Sequence, residues 1–454
     1  MPRPKRALLP LVFLTVALST ISGIQTTFPL SHAEAVTTTI AVGVNPSGIG
    51  INTSTNRIYV SNYGLNGTFP STVSVINGSN NSLITTITVG VSPTSVGVNS
   101  LTNRIYIANY NSSNVSVIDG STNTVIATIV VGTHPSHAAV NTATNEIYVT
   151  NSGDGTVSVI NGATNAVTST VRVGNSPDGI GIITSTNTIY IANSLDSTVS
   201  VIDGRAKNVI KTIPSGSDPG NIAADNATGL IYVVNSNSSA GIITVIDGSS
   251  NTVAYTISVG AYPTGIDLNP VTNKIYVANS AEGTVSVVDG FAKIEVNIVS
   301  LSIGTSPGAV GVNPITNEIY VANGGGFRTL SVISGRATTT TMNCNPASLG
   351  MGSNTVCTAS ATDISGSGAT TPTGIVYFSS NGSGSFNPTN CTLSGSGTTA
   401  VCSVSYSPTG PGGSQGVFGT YGGDSKHMSS SGSYIITVSV PTAGGGGGSP
   451  PRFR

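Results

Sequence analysis

Residues 90–120 read GVSPTSVGVNSLTNRIYIANYNSSNVSVIDG, and variants of this stretch occur seven times along the chain. The copies open with variants of Val-Gly-x-x-Pro, continue with variants of Asn-x-Ile-Tyr-Val-x-Asn and end with variants of Val-Ser-Val-Ile-Asp-Gly. Successive copies are 42–47 residues apart, with their opening glycines at Gly43, Gly90, Gly132, Gly174, Gly216, Gly260 and Gly304. Periods of this length are typical of propeller blades or of a solenoid.

The copy that starts at Gly90 contains four short runs rich in Val, Ile, Tyr and Thr. These runs are predicted strands at Ser95–Val98, Arg104–Ala108, Val115–Ile118 and Thr124–Val130. Turn-forming Asn, Asp, Gly and Pro lie between them, and the links are short enough for each strand to pair with the next. One copy therefore forms a four-stranded antiparallel blade, and the sequence predicts an all-β, seven-bladed β-propeller.

The two ends of the repeat region complement each other. The last copy ends at Ser331-Val332-Ile333-Ser334-Gly335 without a fourth strand, whereas Val36–Ile40 precedes the first copy and matches the missing strand. We expect Val36–Ile40 to pair with Leu330–Ile333, which closes the ring and leaves no open sheet edge there.

One column of the repeat holds a tyrosine in every copy, at the centre of Ile-Tyr-Val. Seven of the fifteen tyrosines share this position, namely Tyr59, Tyr106, Tyr148, Tyr190, Tyr232, Tyr276 and Tyr320. A large amphipathic ring repeated in every blade indicates packing between blades rather than a ligand-stacking platform.

The first 35 residues are predicted to be an export signal. Three basic residues occur within the first six positions, Leu8–Ile24 is apolar, and Ala33-Glu34-Ala35 is a small-x-small cleavage motif. The mature protein should then begin near Val36, with no membrane insertion after cleavage. An uncleaved membrane anchor is the alternative, since the apolar segment is long enough to span a bilayer.

Charge is scarce in this chain and balanced in sign. Only 7% of the residues are charged and the formal net charge is −1. Such a chain has no electrostatic field to attract a polyanion, so nucleic-acid binding is not expected.

The repeat resembles the YVTN β-propeller repeat of archaeal surface-layer proteins and of the related YncE-like exported proteins. The resemblance covers residues 36–336 and rests on the Pro, the Asn-x-Ile-Tyr-Val-x-Asn and the Val-Ile-Asp-Gly of each copy. It implies a seven-bladed propeller, secreted or at the cell surface, with no activity common to the family. Membership of this propeller family would not define the molecular role of the chain.

The period ends near residue 337, and a second domain is predicted at residues 337–440. Strand-like runs separated by Gly, Ser and Pro indicate a β-sandwich, at Thr355–Ala361, Gly374–Phe378, Ala400–Tyr406 and Tyr434–Val440. The segment is similar to the Ig-like repeats of bacterial and archaeal surface proteins, through Thr-Thr-Thr-x-x-Cys, Thr-Gly-Ile-Val-Tyr-Phe and Tyr-Gly-Gly-Asp-Ser. Residues 441–454 are Gly- and Pro-rich and are predicted to be a flexible tail.

All four cysteines lie in this second domain. Four cysteines allow three connectivities. Because each of the pairs Cys344/Cys357 and Cys391/Cys402 is close in sequence, as expected for neighbouring strands, we predict these two disulfides.

A candidate ligand site lies on the first strand of each blade. The positions two and four residues after the Pro hold mostly Gly, Ala and Ser, and because side chains alternate they should share the channel wall. Larger polar residues interrupt these columns, and the adjoining loops add more. The candidate ligand-binding residues are His134, His137, Asp178, Asp218, Asn221 and Asp267. They suit a cation or small ligand, whereas the alternative is a solvated wall that tolerates polar groups.

These observations favour a non-enzymatic secreted or cell-surface protein. In this interpretation the propeller is a rigid binding or assembly scaffold, the Ig-like domain is a spacer or adhesion module, and the partners are other cell-surface proteins or glycans. The alternatives are an exported propeller that binds a small ligand or metal, or a lactonase-like or redox enzyme that uses the channel mouth. No cofactor is predicted, and the sequence does not indicate a particular metal.

Overall fold

The computed structural model describes residues 34–65, 69–236, 240–301, 305–334, 338–364, 369–410, 412–424, 427 and 430–440. Most of the predicted signal peptide (residues 1–35) and all of the predicted tail (residues 441–454) lie outside the described residues.

Seven antiparallel four-stranded sheets occupy the described residues between 35 and 334, one for each copy of the repeat. The innermost strand of each sheet contacts the innermost strands of both neighbouring sheets, and the first sheet contacts the seventh in the same way. The sheets therefore form a closed ring, and the predicted seven-bladed β-propeller is confirmed.

The strands are numbered in chain order, from β1 (Ala35–Ala41). Blades one to three contain β2 (Pro46–Asn52), β3 (Arg57–Asn62), β4 (Thr72–Asn77), β5 (Ser82–Thr88); β6 (Pro93–Asn99), β7 (Arg104–Asn109), β8 (Asn114–Asp119), β9 (Thr124–Val130); and β10 (Pro135–Asn141), β11 (Glu146–Asn151), β12 (Thr156–Asn161), β13 (Ala166–Arg172). Blades four to six contain β14 (Pro177–Ile183), β15 (Thr188–Asn193), β16 (Thr198–Asp203), β17 (Asn208–Pro214); β18 (Pro219–Ala224), β19 (Leu230–Asn235), β20 (Ile242–Asp247), β21 (Thr252–Ser258); and β22 (Pro263–Asn269), β23 (Lys274–Asn279), β24 (Thr284–Asp289), β25 (Ile294–Ser300). Blade seven contains β26 (Ser306–Asn313), β27 (Glu318–Gly324), β28 (Thr329–Ser334) and β1.

Blade seven is completed by the N-terminal strand. Strand β1 runs antiparallel to β28, with Val36 opposite Ile333 and Ile40 opposite Leu330. The predicted closure is confirmed. Ile40 is buried against the core between blades seven and one, so side-chain packing as well as backbone pairing holds this strand in the ring.

The repeated motif residues pack each blade on the next. Every tyrosine of the Ile-Tyr-Val column is buried, and Tyr59 of blade one, for example, lies in a core with Val96, Ile105 and Ile118 of blade two. The second Asn of the motif is buried as well, as in Asn109, which donates from Nδ2 to Ser116 Oγ at 2.9 Å. These contacts explain why both positions recur in all seven copies.

The described residues from 338 to 440 form two further sheets. The strands are β29 (Thr338–Asn345), β30 (Ser348–Gly350), β31 (Thr355–Asp363), β32 (Ile375–Ser380), β33 (Gly384–Asn387), β34 (Asn390–Thr392), β35 (Ser394–Ser396), β36 (Thr399–Pro408), β37 (Gly413–Tyr421) and β38 (Ser430–Ser439). One sheet has the order β29-β31-β36-β33, with β35 also on β36, and the other has the order β30-β38-β37-β32-β34. Side chains of both sheets share one buried core, as in a β-sandwich.

Both predicted disulfides are present, but they have different topologies. Cys344 and Cys357 face each other on the neighbouring strands β29 and β31. Cys391 and Cys402 do not join neighbouring strands, because β34 pairs with β32 in one sheet while β36 belongs to the other. The second disulfide therefore ties the two sheets together.

Candidate functional site

The innermost strands of the blades surround a central cavity of about 190 Å³. The position two residues after the Pro lines this cavity in six blades, as Gly48, Ser95, His137, Asn221, Gly265 and Ala309. Three of the six candidate residues, His137, Asn221 and Asp267, are part of its wall.

The small residues of the two columns have a packing cause. A Cβ added at Gly50 would lie 2.5 Å from Cγ1 of Val96 in the next blade, and one at Gly181 would lie 2.5 Å from Cγ2 of Ile222. Real Cβ atoms do not approach so closely, so Gly50 and Gly181 cannot be enlarged without displacing the next blade. These two positions face the adjacent blade, whereas Asp267 in the same column is part of the cavity wall.

His137 contacts a carboxylate of the following blade. Its Nδ1 lies 3.3 Å from Oδ1 of Asp178, and the side chains are 27% and 39% exposed, so water reaches both groups. Asp218 of blade five lies near this pair: partial burial and the charge of Asp178 raise the pKa of the Asp218 carboxyl. His137, Asp178 and Asp218 thus form one polar group, of which His137 lines the central cavity.

Asn221 and Asp267 bind backbone groups of the next blade. Asn221 donates from Nδ2 to the carbonyl oxygen of Thr264 at 2.8 Å. Asp267 accepts from the amide of Leu268 at 2.9 Å and from the amide of Val312, in blade seven, at 2.8 Å. Burial raises the pKa of the Asp267 carboxyl to about 6, while the two backbone donors act in the opposite direction.

His134 lies apart from these residues. It is exposed, with a positive φ of 52°, and its ring stacks on Tyr110 with centroids 4.5 Å apart. It does not line the central cavity, but borders a surface groove with Asp154 and Asp196.

The arrangement therefore consists mainly of links between blades. His137, Asn221 and Asp267 each contact the following blade, in steps from three to four, five to six and six to seven. Within the described residues, no group of three or more His, Cys, Asp and Glu side chains is placed to hold a metal ion.

A second polar cluster, which the sequence analysis did not identify, lies in the C-terminal sandwich. His427 is buried, with Nδ1 2.8 Å from Oδ1 of Asp424 and Nε2 3.3 Å from Oδ2 of Asp363. Nε2 also lies 3.1 Å from Oγ1 of Thr370. Burial alone would lower the pKa of His427, but hydrogen bonds and charge from Asp363 and Asp424 raise it to about 9. Asp424 belongs to the Tyr-Gly-Gly-Asp-Ser run, but nothing in that run indicates a contact with His427 or Asp363.

Comparisons with known proteins agree on the fold. Residues 132–226, which span blades three and four and the start of blade five, match the family model of the YNCE-like beta-propeller. No curated protein sequence matches the chain.

Among solved structures, the chain is similar to one titled Kuenenia stuttgartiensis hydrazine synthase, with a TM-score of 0.56 and 17% identity over 68% of this chain and 98% of that one. At this identity the likeness concerns the fold alone. The chain is a β-propeller protein. No helix in the described part of the chain is long and apolar enough to cross a bilayer.

Proposed function

We propose that this chain is a non-enzymatic, exported protein whose propeller is a rigid scaffold and whose C-terminal sandwich is an Ig-like spacer or adhesion module. The observation that carries the proposal is that the polar cavity residues are bonded to the next blade. Asn221 and Asp267 bind the backbone of the next blade, and His137 contacts the carboxylate of Asp178. Side chains used in this way stabilise a ring rather than present free groups to a substrate.

Two disulfides support export. Cys344–Cys357 and Cys391–Cys402 use all four cysteines of the chain. Disulfides form and persist mainly in oxidising compartments outside the cytosol. Secretion or display at the cell surface fits this chemistry.

The outer strands of the blades offer a contact surface for other cell-surface proteins or glycans. The outer strands of blades one to six each have an unpaired edge and carry large apolar side chains that are at least one third exposed. These exposed side chains include Leu83, Ile84, Val125, Ile126, Val167, Ile210, Val253 and Ile294. A belt of this kind around a rigid disc suits lateral assembly.

Fractionation with surface labelling tests export, and matched variants test the scaffold role. We expect the native protein in the medium or on the cell surface. A variant with Ile84→Asp and Ile126→Asp on the outer strands should lose surface retention, whereas His137→Ala in the cavity should keep it. Retention lost with His137→Ala and kept with the outer-strand variant would contradict the scaffold role.

A second candidate function is cation or small-ligand binding at the channel mouth, where partial burial and the charge of Asp178 raise the pKa of the Asp218 carboxyl. Two acidic groups beside His137 would attract a cation. Calorimetry with zinc, copper and calcium on the wild type and on His137→Ala/Asp267→Ala tests this function. The absence of a saturable site in the wild type would exclude this function. If the protein were instead an enzyme that uses the same channel mouth, His137→Ala/Asp267→Ala would lose turnover.

A further inference from the structure

In several blades, one position of the repeat joins the blade to the blade before it. There the residue immediately before the outer strand contacts the second strand of the preceding blade. Asn81 accepts from the hydroxyl of Tyr320 at 2.8 Å, and Asn251 accepts from that of Tyr190 at 2.6 Å. Lys207 donates to Glu146 at 2.6 Å.

Glu34 holds this position in blade seven, since it immediately precedes β1. Its Oε1 lies 2.8 Å from Nζ of Lys274 and accepts from the hydroxyl of Tyr276 at 3.0 Å. Both partners lie on β23, the second strand of blade six. The Glu34 side chain is only 3% exposed, so this carboxylate is a buried part of the interface that closes the ring.

The pair at the closure has the reverse polarity of the pair between blades three and four. There the acid, Glu146, lies on the second strand and the base, Lys207, precedes the outer strand. At the closure the base, Lys274, lies on the second strand and the acid, Glu34, precedes the outer strand. The positive charge of Lys274 therefore favours an acidic residue at this position, and Glu34 is that residue.

This contact bears on how an export signal can be removed. Cleavage after Ala33-Glu34-Ala35 would start the mature chain at Val36 and would delete the carboxylate that Lys274 and Tyr276 contact. A second small-x-small motif, Ser31-His32-Ala33, lies two residues earlier in the sequence. This motif also has small residues, Ser31 and Ala33, at its two key positions.

We propose that the export signal is removed between Ala33 and Glu34, so that the mature protein begins at Glu34. The inference rests on the proposed export. A signal peptidase of the producing cell hydrolyses the Ala33–Glu34 amide with one water molecule, which leaves a carboxylate on Ala33 and a free α-amino group on Glu34. The folded ring then keeps its acidic contact with blade six.

Mass spectrometric mapping of the N-terminus of the exported protein tests the proposal. We expect Glu34 as the first residue. An exported protein that begins at Val36 overturns this inference and leaves export intact. A full-length chain at the cell surface overturns cleavage but not display, and a full-length chain inside the cell overturns both the inference and export.

Two matched variants separate the cleavage sites. Ala35→Gln changes a key position of the later motif only, whereas Ser31→Gln changes a key position of the earlier motif only. We expect Ala35→Gln to be processed at the wild-type rate and Ser31→Gln to accumulate as precursor. Precursor accumulation with Ala35→Gln would place cleavage after Ala35 and overturn the proposal.

The contribution of Glu34 to ring closure is tested by comparing chains that begin at Glu34 with chains that begin at Val36. We expect the chain from Val36 to melt lower, by roughly 2–4 °C. In the chain from Glu34, Glu34→Lys should also lower Tm, and adding Lys274→Glu should restore most of the loss, because the double variant has the polarity of Glu146 and Lys207. Equal Tm values for both chains would show that Glu34 has no part in closure.

Discussion

At the scale of single residues, His427 is a buried titratable group held between two carboxylates of the C-terminal sandwich. Its ring lies between the carboxylates of Asp363 and Asp424, which also accept from the backbone amides of Thr370 and Thr373. Asp363 ends β31, whereas Asp424 follows β37. His427 therefore joins two parts of the sandwich that are distant in the sequence.

Replacing this residue should weaken the sandwich in a pH-dependent way. The folded-state pKa of about 9 is above the ordinary value of 6.5, so the stabilisation is fully present below about pH 6.5 and is lost as pH rises through 9. We expect His427→Gln to lower the free energy of unfolding by roughly 2–3 kcal/mol at pH 6 and by much less at pH 10. Thermal and urea unfolding across this range measure the effect.

His134→Gln is the matched control for this prediction. His134 is exposed and belongs to the propeller, so its replacement should leave unfolding of the sandwich unchanged at every pH. A pH-independent loss in His427→Gln would show that packing, rather than charge, is its contribution.

At the scale of strands, a series of amide pairs links the inner strand of one blade to the first hairpin of the next. The Asn that ends the inner strand donates from Nδ2 to Oδ1 of an Asn with positive φ. The pairs are Asn52–Asn103, Asn99–Asn145, Asn141–Asn187, Asn269–Asn317 and Asn313–Asn56. Between blades four and five both positions differ, as Ile183 and Gly229, and Asn226 accepts from Thr184 instead. Both the Asn–Asn pairs and the Thr184–Asn226 bond that replaces one of them hold neighbouring blades in register.

Removing one of these amides should destabilise the propeller. Asn141 is buried, donates to Asn187 at 2.7 Å and accepts from the amide of Ala143 at 3.0 Å. We expect Asn141→Ala to cost about 1–3 kcal/mol, because it leaves a buried partner without its hydrogen bond. Chemical denaturation measures the loss. Asn80→Ala, at an exposed turn position with local bonds only, should be nearly neutral, and an equal loss there would refute the interpretation.

The sequence predicted the strands well because the repeat supplies seven independent copies of the same pattern. The predicted runs Arg104–Ala108 and Thr124–Val130 correspond to β7 and β9 within one residue at each end. The site was harder to predict. Alternation placed Asp267 on the channel wall, but not its bond to Val312, which depends on how closely the inner strands of two blades approach.

His427 could not be inferred from any pattern. Its partner Thr370 is 57 residues away, and the sandwich has no repeat that would align such distant positions. Contacts of this kind follow from the pairing of strands across a core, which a single sequence does not fix.

At the scale of the whole molecule, the two parts of the chain depend on different covalent chemistry. All four cysteines lie in the sandwich, so the propeller is held by packing, hydrogen bonds and ion pairs without a disulfide. The disulfides close segments with sequence separations of 13 and 11 residues. The chain-entropy model assigns about 3 kcal/mol to a loop of this size.

Reduction should therefore act on one part only. We expect a reducing agent to lower the unfolding temperature of the sandwich and to leave that of the propeller unchanged, in scanning calorimetry of the full chain. Cys391→Ser/Cys402→Ser without reductant should reproduce part of the shift, because it removes the covalent link between the two sheets. A propeller transition that moved equally would contradict this division.

The closure of the ring leads to the last prediction. Strand β1 covers the edge of β28 and buries Ile40, whose burial alone is worth roughly 1.5–3 kcal/mol. Deletion of residues 34–41 should therefore lower Tm and uncover β28, whose Leu330, Val332 and Ile333 are otherwise buried. This apolar strand edge should pair with other copies, visible as oligomers in size-exclusion chromatography. A synthetic peptide with the sequence of residues 34–41 should restore a monomer and part of the Tm when it is added to the deleted protein. The same peptide with Asp in place of Ile40 is the control, since it keeps the backbone pairing but cannot bury its side chain. If the deleted protein stays monomeric with an unchanged Tm, or both peptides rescue it equally, the N-terminal strand does not close the ring as its register indicates.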